Sequence, residues 1–217
     1  MRMTSMENQE HLKMTNRCKE RFQEVYQAVE RLTALCGKGK TVFVGIDGMC
    51  ATGKTTLGYY LKEQFDCNLF HMYDFFLQGF QRTEERLTEI GGNVDYERFQ
   101  SEVIEPLCRQ EDVWYRPYDC RTGIISQGEK IVFKQLNIME GSYSLHPYFG
   151  DIYDLRVFTE STSDRQLENI RKRNGEQMLI RFEKEWIPKE NAYFEKFRIR
   201  EGCIVVPWRE DMQDDIT

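Results

Sequence analysis

The sequence predicts an α/β protein of three layers: a mostly parallel β-sheet with helices on both faces. Three observations carry that reading. Short runs such as Thr41-Val42-Phe43-Val44-Gly45-Ile46 are apolar on both faces, as a buried parallel strand requires. These runs alternate with stretches of helical period. The chain has 217 residues, 40% of them hydrophobic and 13% aromatic, enough for one sizeable core.

Taken in order, the first forty residues are charged and helical, with Phe22, Val25, Tyr26, Val29, Leu32 and Cys36 on one face and Gly37 and Gly39 ending the run. The strand at Thr41–Ile46 follows, then a helix over Lys54–Phe65 and a strand over Asn68–Met72. Phe99, Val103 and Leu107 share a face of a helix over Tyr96–Cys108. Strands are predicted at Val113–Arg116, Lys130–Phe133, Leu136–Met139 and Leu155–Phe158. Helices over Asp164–Arg173 and Glu176–Phe197 lead to a last strand at Cys203–Val206. No repeat or low-complexity linker interrupts this order, so residues 1–40 read as a helical extension and residues 41–217 as one domain.

Composition excludes some functions. Thirty basic residues against 36 acidic give a net charge of −6, a field that disfavours polyanions, so no nucleic-acid partner is expected. No apolar run approaches the roughly 20 residues of a membrane span, and the polar Met1–Glu10 segment lacks a signal-peptide core, so the expectation is a cytoplasmic protein without a membrane partner. The seven cysteines form no C-x-x-C pair and read as reduced thiols, with no local zinc site. Whether copies of the chain form a homo-oligomer stays open.

Directly after the first buried strand stands Gly48-Met49-Cys50-Ala51-Thr52-Gly53-Lys54-Thr55, which satisfies G-x-x-x-x-G-K-[ST]. Its glycines let several backbone N–H groups converge on a phosphate, and the helix opening at Lys54 adds its positive end. Lys54 is then placed for the β/γ oxygens, the Thr55 hydroxyl for Mg²⁺, and Thr56 extends the loop into the helix. The bare pattern arises by chance in a chain this long on the order of 1% of the time. The strand before it and the helix after it make it far more specific, and ATP is the expected cofactor.

Neither a D-x-x-G switch nor an N-K-x-D guanine reader occurs, which sets a GTPase aside. A kinase needs an acceptor-side base, an acid supporting the metal and cations that close on the phosphoryl group, and candidates for each exist. Asp74 follows the second strand, where open parallel sheets bind ligands, and is the candidate base; an Asx turn or helix cap is its structural alternative. Glu140 ends a buried strand and is the candidate Mg²⁺ support, with a turn-capping role as the alternative. Ser161 and Asp164 read as a helix start before Arg165, Arg171, Lys172 and Arg173, a charge run that forms either a phosphate-clamping lid or a solvated face. Gly175 would let that segment bend. A nucleotide-binding module that transfers nothing, docking a partner through the Phe22–Cys36 face, is the rival from another class.

Together these pieces resemble the uridine kinase and phosphoribulokinase family of P-loop kinases, from about Thr41 to Pro207. The resemblance rests on Val44-Gly45-Ile46-Asp47-Gly48, Tyr73-Asp74-Phe75-Phe76-Leu77, Asn93-Val94-Asp95-Tyr96, Pro117-Tyr118-Asp119, Met139-Glu140-Gly141 and the Arg-rich helix. It implies a P-loop NTPase fold with an Arg-bearing helical lid, and ATP-dependent transfer to a hydroxyl of a nucleoside or related sugar-containing acceptor. It also implies that Asp74 is the base, that Asp95 holds substrate hydroxyls, that Tyr118 lines the acceptor pocket with Arg116 as its neighbour, and that Arg165 and Arg173 belong to the lid. Uridine-specific members carry a His five residues after that Tyr, where this chain has Gly123, so the resemblance does not specify uridine. Trp186, in Glu185-Trp186-Ile187-Pro188, is expected to pack in the core beside a Pro kink.

Overall fold

The computed structural model describes residues 16–35, 37 and 39–208. Cys36, assigned above to the first helix face, lies outside the described residues, as do the Met1–Glu10 segment and residues 209–217.

Helical residues 16–21 lead into α1 (Gln23–Leu35), then β1 (Val42–Gly48), α2 (Lys54–Gln64) and β2 (Cys67–His71). The helix read over Tyr96–Cys108 is present as α4 (Tyr96–Phe99), a π turn over Gln100–Ile104 and α5 (Glu105–Cys108), preceded by the short α3 (Glu84–Thr88). Four short strands come next: β3 (Val113–Tyr115), β4 (Tyr118–Asp119), β5 (Ile124–Ile125) and β6 (Glu129–Ile131). The chain closes with β7 (Leu136–Glu140), β8 (Leu155–Glu160), α6 (Ser163–Arg181), a π turn over Phe182–Trp186, α7 (Ile187–Lys196) and β9 (Ile204–Pro207).

Five strands make one parallel sheet in the order β2-β7-β1-β8-β9. Every residue of β1 is buried because alternate side chains feed opposite cores. Val42, Val44 and Ile46 join Phe22, Val25 and Val29 of the N-terminal helical segment and Leu57 and Leu61 of α2. Phe43 joins Phe99, Val103 and Leu107 with Tyr193 of α7. The sheet is thus covered on both faces, and the N-terminal helix contributes to the same core as α2. Among the described residues no helix is long and apolar enough to cross a membrane.

The predicted strands near 113–116 and 130–133 exist but do not enter this sheet. They pair antiparallel as β3–β6, Val113 opposite Ile131, beside a second small ribbon, β4–β5. The two C-terminal helices are one run broken at Gly175, whose φ of 79° and ψ of 169° lie outside the helical region. The N-cap of α6 is Thr162, whose hydroxyl accepts from the Arg165 N–H, rather than Ser161. The buried Asp47 carboxylate ties β1 to the loop after β7 and to α7: it accepts from the Gly48, Tyr143 and Leu145 N–H groups and from the Tyr193 hydroxyl.

Candidate active site

At the carboxyl end of β1 the chain must turn hard against β8. Gly48 has φ of +127°, and a Cβ there would overlap the Thr159 backbone. The Met49 N–H donates to the Thr159 carbonyl at 3.0 Å, which pins the loop's entrance. Ala51 and Gly53 also take positive φ, 58° and 88°, so the loop curls before α2 begins at Lys54. The Lys54 ammonium folds back onto the Gly48 and Met49 carbonyl oxygens at 2.7 and 2.8 Å.

Parallel register sets the next group. β2 and β7 run flush, with His71 opposite Glu140. Glu140 is 1% exposed; its Oε1 accepts the Thr55 hydroxyl at 3.1 Å and lies 2.5 Å from His71 Nδ1. Thr55 and Glu140 therefore present a hydroxyl and a carboxylate together at the N-terminus of α2, donors suited to a hard cation. Among the described residues no group of three or more His, Cys, Asp or Glu could hold a metal alone. That pair fits Mg²⁺ as this ion is usually held, with few protein oxygens and the rest from phosphates and water.

Asp74 stands in the 3₁₀ turn (Met72–Phe75) that leaves β2. Tyr115 of β3 donates its hydroxyl to Asp74 Oδ2 at 2.6 Å, and Arg98 holds the Asp74 carbonyl at 2.8 Å. Burial raises the Asp74 carboxyl above its ordinary range, and the Tyr115 hydrogen bond opposes that rise.

Two clefts meet here. The first, 740 Å³, is walled by Cys50 through Thr56 of the phosphate loop together with Tyr73, Glu140 and Arg173. The second, 610 Å³, is walled by Phe76, Leu77, Arg82, Asn93, Arg181 and Trp186, among others. Cys50, Phe76, Ser142 and Arg173 belong to both. Of the two arginines that the resemblance assigns to a lid, Arg173 lines both clefts. Asp74 itself is on neither cleft wall; Tyr73, just before it, lines the first and Phe76, two residues after it, lines both, and Cys120 of the second cleft lies within electrostatic reach of Asp74 and Arg82.

Other expected substrate residues stand elsewhere. Asp95 is buried as the N-cap of α4: it accepts from the Arg98 N–H and the Gln81 amide and pairs with the Arg98 guanidinium. Arg116 pairs with Glu102 of the π turn between α4 and α5 and is absent from both cleft walls. Arg165 sits on the first turn of α6, pairs with Glu168 at 2.7 Å and lines neither cleft. Tyr118 is buried in β4, also off both walls. Trp186, expected in the core, is a wall of the second cleft, edge-on to Phe182 with Arg181 over its ring. Sequence reading missed His71, Tyr115, Arg181 and Arg82. The one signal for His71 was its place on a strand that ends level with Glu140.

No protein-family model matches the sequence, and no curated protein does. Solved structures share the fold, two of them as follows. A possible uridine kinase from Bacillus stearothermophilus superposes with a TM-score of 0.63 at 18% identity, over 86% of this chain and 97% of that one. A candidate fructose transport system kinase from Silicibacter sp. TM1040 gives 0.64 at 19% identity, over 86% and 98%. The likeness is one of fold: a central five-stranded parallel sheet flanked by helices, with a phosphate loop after β1.

Proposed function

We propose that this chain is a cytoplasmic, ATP-dependent kinase of the uridine kinase and phosphoribulokinase family, acting on a hydroxyl of a small sugar-containing compound. One observation carries the reading. The phosphate loop opens onto a cleft that shares Arg173 with a second cleft of acceptor size, and the Asp74 turn stands beside their common wall. A module that only bound nucleotide would need no second cleft there. The fold shared with the two kinase structures supports the same class.

In this reading the loop N–H groups and Lys54 bind the β- and γ-phosphates. Asp74, fixed by Tyr115, takes the acceptor proton as the acceptor oxygen bonds to the γ-phosphorus and the bond to the β-bridging oxygen breaks, releasing ADP. Arg173 meets the charge on the transferring group. Thr55 and Glu140 would hold Mg²⁺, which when bound neutralises phosphate oxygens. The Trp186 and Phe182 rings, set edge to face, give the second cleft an aromatic wall that supports a ring in the acceptor, and Arg82 beside them supports an acceptor with a negative group, while Arg181 is paired with Glu185 at 3.0 Å.

The test is a panel of nucleosides, sugars and their phosphorylated or carboxylated derivatives, with ADP release and product mass as readouts. ADP formed only with particular acceptors, each gaining one phosphoryl group, supports the kinase. ATP binding with no consumption across the panel selects the nucleotide-binding module.

A further inference from the structure

A phosphate loop binds phosphate only when its N–H groups face inward, and a planar trans peptide makes that orientation readable from the other side. In each peptide the carbonyl of one residue points opposite to the N–H of the next. Whatever holds three successive carbonyls outward therefore aims the three following N–H groups into the cleft.

Here three such carbonyls are held, each by a buried side-chain amide or guanidinium. Gln166 Nε2 donates to the Cys50 carbonyl at 3.3 Å, Asn169 Nδ2 to the Ala51 carbonyl at 3.0 Å, and Arg21 Nη2 to the Thr52 carbonyl at 2.6 Å. All three donors are buried. Gln166 and Asn169, three apart, share one face of α6 before the Gly175 break. Arg21 comes from the N-terminal helical segment, its guanidinium lying 4.9 Å from the rings of both Phe22 and Trp208. One step earlier the plane is reversed: Lys54 takes the Met49 carbonyl, and Glu190 of α7 accepts the Cys50 N–H at 3.0 Å. No acceptor among the described residues takes the N–H of Ala51, Thr52 or Gly53.

We propose that Arg21, Gln166 and Asn169 are positioning residues that preorganise the phosphate loop, making the N-terminal helix and the first half of α6 part of the nucleotide site. The ordering cost of the curled loop, including Ala51 at φ of 58°, is met by this buried shell before the ligand arrives. The Gly175 break then separates the anchoring half of α6 from the half after it, while Arg173 reaches the cleft from just before the break. The inference rests on the phosphate-loop reading above.

Asn169→Ala and Gln166→Met in the full chain test it, with binding of ATP, inorganic tripolyphosphate and adenosine measured calorimetrically beside thermal unfolding. Since the N–H groups touch only phosphate, the expected result is affinity for ATP and tripolyphosphate lowered about five- to tenfold per substitution, with adenosine unchanged. Unchanged tripolyphosphate affinity with a lowered melting temperature would mean the contacts only tie α6 to the core, and would overturn the proposal. Equal losses for adenosine and tripolyphosphate would overturn it too. If one variant does not fold, the other and Arg21→Lys carry the same comparison. A parent chain that binds neither ATP nor tripolyphosphate would instead refute the phosphate-loop reading itself.

Discussion

The Asp74–Tyr115 pair makes the proposed chemistry testable through pH. Asp74 acts as a base only when ionised. Burial raises its carboxyl, so the acid limb of the rate profile should lie above that of an exposed aspartate, with rate falling as pH drops through it. The Tyr115 hydroxyl, 2.6 Å from Oδ2, is the main contact favouring the ionised form. A hydrogen bond to a charged group contributes about 1.5–3 kcal/mol. Tyr115→Phe should therefore move the limb toward higher pH and cost roughly 10- to 100-fold in rate below it, with little loss on the alkaline plateau. It also leaves the His71 N–H, which donates to the same hydroxyl at 3.1 Å, without that acceptor, so stability should drop by about 1–3 kcal/mol. The two effects separate because only the first depends on pH within the folded range. Asp74→Asn keeps an acceptor for Tyr115 and should lower kcat ~10²- to 10⁴-fold while leaving ATP affinity nearly intact. Steady-state rates from pH 5 to 9 with the acceptor found by the panel would decide. A Tyr115→Phe profile that only scales down at every pH, or an Asp74→Asn enzyme at parental rate, would refute the base assignment.

Other outcomes follow from the same contacts. Lys54→Ala should weaken ATP binding roughly 10- to 100-fold by calorimetry, because one ammonium serves the phosphates when it leaves the Gly48 and Met49 carbonyls. Gly48→Ala should cost at least about 3 kcal/mol in urea unfolding, since it combines a positive φ with overlap on the β8 backbone. Thr55→Val should raise the Mg²⁺ concentration for half-maximal rate about tenfold or more, and Thr55→Ser should restore it, because only the hydroxyl meets Glu140.

The sheet was legible because β1 is apolar on both faces and β2 and β7 are short, mostly apolar runs, a pattern that belongs to buried parallel strands. The phosphate loop was legible because its glycines and Lys54 answer to local backbone geometry. The break at Gly175 was legible for the same reason. What depended on partners distant in sequence was not. Val113–Arg116 and Lys130–Phe133 read as strands, yet nothing local says that they leave the main sheet to pair with each other. Arg116 had an acid three residues away in Asp119 and took Glu102 instead, because the α4–π–α5 helix brings Glu102 alongside β3. Arg165 and Arg173 looked equivalent in a charge run, but eight residues of helix separate them by about 12 Å along the axis, and only the second reaches the cleft. The substrate role of Asp95 came from the family resemblance alone, and in the structure its carboxylate caps α4 and accepts from the Gln81 amide.

Charge arithmetic shows why the buried shell matters. The whole chain carries −6, and the first cleft does not reverse that sign: Lys54 and Arg173 on its wall are matched by Glu63 and Glu140. A triphosphate drawn only by net charge would find little to hold it there. The Cys50 thiol adds no charge either, since burial pushes it up to about 12. Affinity must come from direction instead, from N–H groups and a helix N-terminus aimed at one point. Direction is cheap to lose, because a peptide that rotates turns a donor into an acceptor facing the phosphate. Two neutral amides and one guanidinium on the outer side of the loop prevent that rotation. Gln166 and Asn169, the two residues a charge-based reading passes over, hold that direction from α6.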